Sequence, residues 1–211
     1  EIAEGSDPSS ADSFIPQERF RLDLGHGFLA SEMGQVSISD EENIGIAETA
    51  LGLAAVGQGS NSSFRYGPEG IIRPEEFSIS VWFAPEWNSG DRITGDLFKP
   101  IIRFGERRPK SLRPFVGIEV HRDSRQIGFS LNDGSGRRVG DNLAEAFVGI
   151  DWNAGDWHHL VLTFSGEKIA LWIDGELAAV SSKPPAMQGF PVSMDVFPGG
   201  GSILDLRVFN Y

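Results

Sequence analysis

Apolar and polar positions alternate in short runs along most of the chain. From Phe77 to Ala84 (FSISVWFA), Phe77, Ile79, Val81 and Phe83 fall on one face, Trp82 falls on the other, and Pro85 ends the run. Two further runs, LVLTF and KIALWI, lie within Trp157–Leu177 and are joined by Ser165-Gly166-Glu167. Leu160, Leu162 and Phe164 share a face of the first, and Ile169, Leu171 and Ile173 share a face of the second. A period of two is that of a strand with one side buried. Asp174-Gly175 follows directly, a strong hairpin signal.

The same pattern predicts a first strand over Phe14–Leu24, with Phe20, Leu22 and Leu24 alternating with Arg19, Arg21 and Asp23. Further strands are expected at Gln35–Ile38, Ile101–Phe104, Phe115–His121, Gln126–Leu131, Val192–Phe197 and Ile203–Phe209. Ala47–Val56 has helical propensity, but Gly52 interrupts it, so extended structure or a turn and a strand is expected. Residues 86–100, 137–156 and Val180–Pro191 read as loops, and Pro198–Gly201 as a glycine turn. Asn61-Ser62-Ser63 matches a glycosylation sequon and is read as a polar loop. At least ten short strands without a convincing long helix define an all-β chain, a sandwich or barrel.

Composition narrows the class. A chain of 211 residues with 26 Gly and 12 Pro fits one all-β domain. Residues 1–13 are polar and are expected to be a linker or leader before a domain over 14–211. No segment is apolar enough for a membrane span. The formal net charge of -12 repels phosphate backbones, so nucleic acid is not an expected partner. The absence of cysteine excludes disulfides and thiol chemistry.

Several motifs, in order, carry a family resemblance: the FSISVWFAP strand, the block Trp157-His158-His159-Leu160-Val161, the hairpin Trp172-Ile173-Asp174-Gly175, and the closing run Ile203–Asn210. Together they resemble the laminin G-like jelly-roll family of the concanavalin A-like lectin/glucanase superfamily, over residues 14–211. The resemblance implies a two-sheet antiparallel jelly-roll β-sandwich with little or no helix, whose first and last strands lie close together. It also implies that calcium is a candidate cofactor. Asp23 and Asp205 correspond to acidic positions of the family's end strands, although Leu204 stands where the family has an Asp. Oxygen ligands suit such a cation.

Catalysis is not expected. Retaining glucanases of this superfamily carry an E-x-D-x-(x)-E strand that sets nucleophile and acid on one face. The nearest runs here, Glu119–Asp123 and Asp174-Gly175-Glu176, lack the third carboxylate. His158 and His159 are adjacent on a strand and point to opposite faces, so they cannot share a zinc. They are read as an exposed His158 and a buried structural His159. Asp151, Asn153 and Asp156 read as a turn before a strand.

Two features point to ligand binding. Arg103, Arg107, Arg108, Lys110 and Arg113 crowd one short segment of an acidic chain, and arginine forks suit carboxylates and sulfates. Trp87 and Trp152 sit in predicted loops, where indoles can stack on sugars. Trp82, Trp157 and Trp172 are assigned to the core. The sequence therefore points to a non-catalytic, exported recognition module, extracellular, cell-surface or periplasmic and of bacterial type. Its expected ligand is a carbohydrate, such as an acidic glycan, or a protein surface. The alternative is a structural or adhesive spacer of a larger surface protein; a glycoside hydrolase ranks below both.

Overall fold

The alternating runs become strands in the computed structural model, which describes residues 17–26, 29–30, 35–36, 44–57, 62–67, 71, 75–93, 97–105, 115–132, 143–182, 184 and 193–210. In chain order the strands are β1 (Gln17–Asp23), β2 (Leu29–Ala30), β3 (Gln35–Val36), β4 (Ile44–Thr49), β5 (Gly52–Gly57), β6 (Phe64–Tyr66), β7 (Glu76–Pro85) and β8 (Phe98–Phe104). Then come β9 (Phe115–His121), β10 (Gln126–Asn132), β11 (Leu143–Gly149), β12 (His158–Ser165), β13 (Lys168–Ile173), β14 (Glu176–Ser182), β15 (Met194–Val196) and β16 (Gly201–Asn210). The helical elements among the described residues are two short 3-10 turns, Leu24–His26 and Pro198–Gly200.

Two antiparallel sheets result. The larger runs β14-β13-β12-β7-β16-β1-β2-β3, with the β4–β5 hairpin attached through β5 to β16. The smaller runs β11-β10-β9-β8-β15-β6. Their facing sides meet in one core, where Phe77, Ile79, Val81, Leu160, Leu162, Leu171 and Val208 from the larger sheet oppose Ile102, Phe104, Ile118, Phe129 and Val196 from the smaller. The fold is thus the jelly-roll sandwich that the resemblance implied, and β1 pairs with β16 so that the first and last strands are neighbours.

The hairpin β12–β13 has the expected register, with Leu160 opposite Ile173 and Phe164 opposite Ile169. Asp174 (φ 52) and Gly175 (φ 86) are both left-handed, which a type I′ turn demands. Where the sequence was ambiguous, a hairpin forms: β4 and β5 pair from Ile44 opposite Gly57 to Thr49 opposite Gly52. The Thr49 hydroxyl closes that turn by donating to the Gly52 carbonyl at 2.7 Å.

Three expected loops are partly strand. β11 forms within 137–156, although LAEAFVG shows no clean alternation, because β10 supplies a continuous ladder from Gln126 to Asn132. β14 carries the chain to Ser182 against β13. β8 begins at Phe98, opposite His121. Residues 1–13, Ile38 and Asn61 lie outside the described residues; Ser62 of the sequon is buried.

Gly128 marks where β10 and β11 press closest. A Cβ there would overlap the Ala146 carbonyl oxygen and the Phe147 backbone and ring. At Gly166, in the β12–β13 turn, a Cβ meets nothing within 4 Å. Gly128→Ala is therefore expected to cost about 1–3 kcal/mol by urea unfolding, and Gly166→Ala to stay within about 0.5 kcal/mol of the parent. Equal effects would contradict this packing.

Candidate functional site

On β7 the side chains that turn away from the core are Ser78, Ser80 and Trp82. On β12 they are His159, Val161 and Thr163, half-buried, while Leu160, Leu162 and Phe164 face inward. Register makes them neighbours: His159 lies opposite Trp82 and Val161 opposite Ser80. The His159 ring stacks under Trp82 at 4.9 Å and 23°. Its Nε2 is 2.8 Å from the Ser80 hydroxyl, which fixes the ring. Ser80 lies mid-strand, between Val161 and Arg207, unlike the sharp exposed turn that presents a catalytic serine.

Beside Trp82 the sheet is irregular. Leu204 faces Trp82 and Arg207 faces Ser80, so β16 runs three residues where β7 runs two. This β-bulge puts Asp205 at φ 49, a left-handed conformation that aspartate tolerates better than most residues. Asp205 accepts from Arg207 Nε at 2.9 Å and from Arg207 Nη2 at 2.8 Å, a bidentate fork. Arg21 Nε stands 3.6 Å from Asp205 Oδ1, and Arg207 Nη1 stands 3.6 Å from Glu18. The fork raises the Arg207 pKa further above its ordinary value, with hydrogen bonding to Asp205 as the main cause. Arg21 and Arg207 face each other across β1 and β16, and like charges in that position repel. Asp205 between them, with Glu18 beside Arg207, offsets that repulsion.

A cleft of about 650 Å³ opens here. Trp82, Leu204, Asp205 and Arg21 form one wall, and Leu51, Gly52 and Leu53 at the tip of the β4–β5 hairpin form the other. Leu51 and Leu53 are exposed, at 51% and 40%. The cleft thus combines a half-buried indole, exposed leucines and an arginine–aspartate pair.

The described residues among those singled out from sequence do not converge on one site. Arg103 does not face a ligand: its Nη2 donates to Glu119 at 3.0 Å, and its guanidinium lies over Phe197 at 5.6 Å. Arg107, Arg108, Lys110 and Arg113 lie outside the described residues. Trp87 and Trp152 are 8% and 7% exposed, so they are core rather than sugar platforms. Trp87 stacks on Trp152 at 6.3 Å, and Trp152 stacks on His158 at 3.9 Å, so their faces are already covered. Trp82 and Trp172 show the opposite error, since both are half-buried on the outer face. Trp157 is also half-buried.

Neither histidine fits its expected place. His158 is half-buried against Trp152, with Nδ1 2.8 Å from Asp174 Oδ2. His159 is half-buried outside, and its backbone N–H donates to Asp174 Oδ1 at 2.8 Å. Asn153 and Asp156 form the expected turn, Nδ2 to Oδ2 at 3.0 Å.

Of the two calcium candidates, Asp205 is described, and its carboxylate is engaged by arginine. Both Asp205 oxygens accept from the Arg207 guanidinium. The Asp23 side chain lies outside the described residues. Among the described residues no group of three or more His, Asp or Glu stands together as a metal-ligand set.

The outer face of the smaller sheet carries a second polar system. Arg65 faces Asp195 and Asp195 faces Arg103 across β6, β15 and β8. Arg65 Nε donates to Asp195 Oδ1, and the Ser193 hydroxyl donates to Asp195 Oδ2 at 3.1 Å. Glu119, fully buried, accepts from Arg103 and from the Ser130 hydroxyl at 3.0 Å. These two buried carboxylates are bound by arginine and serine, as buried charges must be.

Two antiparallel sheets closed over one core, with a cleft on an outer face, define a jelly-roll β-sandwich of lectin-like architecture. The family model described as Concanavalin A-like lectin/glucanases superfamily matches residues 58–211, and the chain belongs to that family. Among curated proteins none matches in sequence.

Solved structures share the fold. Domain 4 of AbnA, a GH43 extracellular arabinanase from Geobacillus stearothermophilus, seen in complex with arabinotriose, has a TM-score of 0.67 at 16% identity, covering 92% of this chain and 93% of that one. The binding domain of Paraclostridial Mosquitocidal Protein 1 has a TM-score of 0.69 at 12% identity; 92% of this chain spans 48% of that one, about half its length. The CBM40 of Ruminococcus gnavus IT-sialidase, bound to alpha2,3 sialyllactose, has a TM-score of 0.52 at 12% identity, covering 70% and 85%. Among the described residues no helix is long and apolar enough to cross a membrane.

Asp205→Asn keeps a residue that tolerates the left-handed backbone but removes the charge between Arg21 and Arg207. It is expected to lower stability by about 1 kcal/mol, and high salt should narrow the gap; a gap insensitive to salt would show that the charge is not the cause. Asp123 is held below the usual carboxylate range, mainly by hydrogen bonding to His121, whose Nδ1 is 2.7 Å away. A depressed carboxyl contributes stability above its unfolded pKa and loses it as pH falls through its folded pKa. Asp123→Asn is therefore expected to melt below the parent at about pH 6 and to converge with it by about pH 2. Melting curves that stay parallel over that range would contradict this.

Proposed function

We propose that the protein is a non-catalytic carbohydrate-recognition module, presented outside the cytoplasm, whose glycan enters the cleft between Trp82 and the β4–β5 hairpin. The observation that carries this reading is the pairing of the Trp82 indole, packed on His159 on one side and lining the cleft, with a fixed arginine–aspartate array. A sugar has an apolar C–H face, which packs on an indole, and a rim of hydroxyls, which suits charged hydrogen-bonding groups in a bidentate array. Few well-placed polar groups in a mainly apolar concavity are what a small-ligand site requires.

The relatives support the ligand class. AbnA domain 4 was captured with arabinotriose and the sialidase module with sialyllactose. Export is supported by the same resemblances, the first being to part of an extracellular enzyme. Hydrolysis is disfavoured because the cleft has Asp205 as its acidic lining residue, and that carboxylate is occupied by Arg207. Glycosidic cleavage needs two carboxyl groups flanking the bond, one of them able to donate a proton.

A glycan array followed by calorimetry tests the reading. The parent protein is expected to bind a glycan without cleaving it. Trp82→Ala is expected to weaken binding roughly tenfold or more, the effect of losing one aromatic contact and its burial. Leu53→Ala on the opposite, exposed wall is expected to weaken it less while leaving the melting temperature unchanged. A parent protein that binds no glycan on the array, or a Trp82→Ala variant that folds and binds undiminished, would sink the proposal.

A further inference from the structure

The cleft does not end at Trp82. Register carries a row of outward side chains across five strands. Trp172 on β13 faces Val161 on β12, and Val161 faces Ser80 on β7. Ser80 faces Arg207 on β16, and Arg207 faces Arg21 on β1. One row away, His159 faces Trp82 and Trp82 faces Leu204. Trp172 points outward because Ile169 and Leu171, on the other phase of β13, are fully buried. From β14, Leu177 faces Trp172 and is 47% exposed.

Two half-buried indoles stand on this face; Val161 and Leu177 flank Trp172, and the hydroxyl and imidazole groups of Ser80, Thr163 and His159 break the apolar groups up. Interleaved ring faces and small polar groups match the alternation of C–H faces and hydroxyls along a sugar chain. A protein partner would instead call for a contiguous apolar centre with a polar rim. From β1 to β13 there are four strand spacings of about 4.8 Å, or about 19 Å, the length of about four linked sugar rings.

We infer, resting on the carbohydrate reading above, that the ligand is an extended linear oligosaccharide of about four units laid across the strands. One end sits in the cleft beside Arg21 and Asp205, the middle crosses the Trp82–His159 stack, and the far end rests on Trp172. The two ends differ in chemistry, charged at β1 and apolar at β13, so the chain binds in one direction.

The test is calorimetry with a length series, from the disaccharide upward, in the linkage that the array selects, with linear arabino-oligosaccharides and β-1,4-linked gluco-oligosaccharides run in parallel. Affinity is expected to climb to about four units and then level. Trp172→Ala is expected to weaken the longer chains about tenfold and leave the disaccharide unchanged, whereas Trp82→Ala weakens both. Trp172→Phe, which keeps a ring face, is expected to recover most of the loss, and this separates contact from folding. A disaccharide that binds as tightly as the longer chains overturns the extended path and leaves the cleft reading intact. So does a Trp172→Ala variant that affects all lengths equally or none. A parent protein that binds no member of any series overturns both.

Discussion

The register of β7 between β12 and β16 is the constraint on which the rest of the molecule depends. Phe77, Ile79, Val81 and Phe83 enter the core only in one phase of that strand. A slip of one residue would put Ser78, Ser80 and Trp82 inside and the phenylalanines in water. Pairing with β12 is regular along the whole strand, from Glu76 opposite Ser165 to Phe83 opposite His158. Pairing with β16 is not, because the bulge after Leu204 shifts the register by one residue. The bulge is accommodated on the β16 side, where Asp205 takes the left-handed conformation and Arg207 holds it there. The feature that breaks the ladder is also the feature that aims a carboxylate and a guanidinium beside Trp82.

That placement explains how an acidic protein uses its arginines. With a net charge of -12, free carboxylates are abundant and cations are scarce. Arg65, Arg103 and Arg207 are each committed to a carboxylate on a neighbouring strand or position, at Asp195, Glu119 and Asp205. Two of these acids are buried, and a buried carboxylate without a partner would be costly. A basic residue in an acidic chain is therefore as ready to serve a structural carboxylate as a ligand. Arg103 shows why: strand alternation turns it onto the outer face of the smaller sheet, where Gly117 opposite it leaves room to reach Glu119.

Most of the fold was legible in the sequence because alternation with period two is a direct record of which side each residue faces. The strands β7, β9, β10, β12, β13 and β16 all follow it. What it missed was β2, β6, β11, β14 and the start of β8. LAEAFVG has half-buried positions on both faces, since Phe147 stacks on Phe98 outside the core while Val148 packs against it from within. A strand wet on neither side cleanly leaves no period to read, and only the partner strand decides it.

The site was legible in part, and the part that failed did so for a definite reason. Position in a loop suggests an exposed indole and position in a strand a buried one, whereas the loop indoles Trp87 and Trp152 are buried and the strand indoles Trp82 and Trp172 are half-buried on the outer face. Trp87 and Trp152 lie in the segments that close the end of the sandwich, and such segments tuck their large apolar groups beneath them, here against Phe83. Trp82 and Trp172 occupy the polar phase of strands whose other phase is full. A tryptophan in that phase has no core left to enter. The alternation that identified β7 already placed Trp82 opposite Phe77, Ile79, Val81 and Phe83; applied to function as strictly as to fold, it points to the outer face of the larger sheet. A large aromatic on the wet phase of a strand has its direction fixed by the pleat, and a loop fixes none.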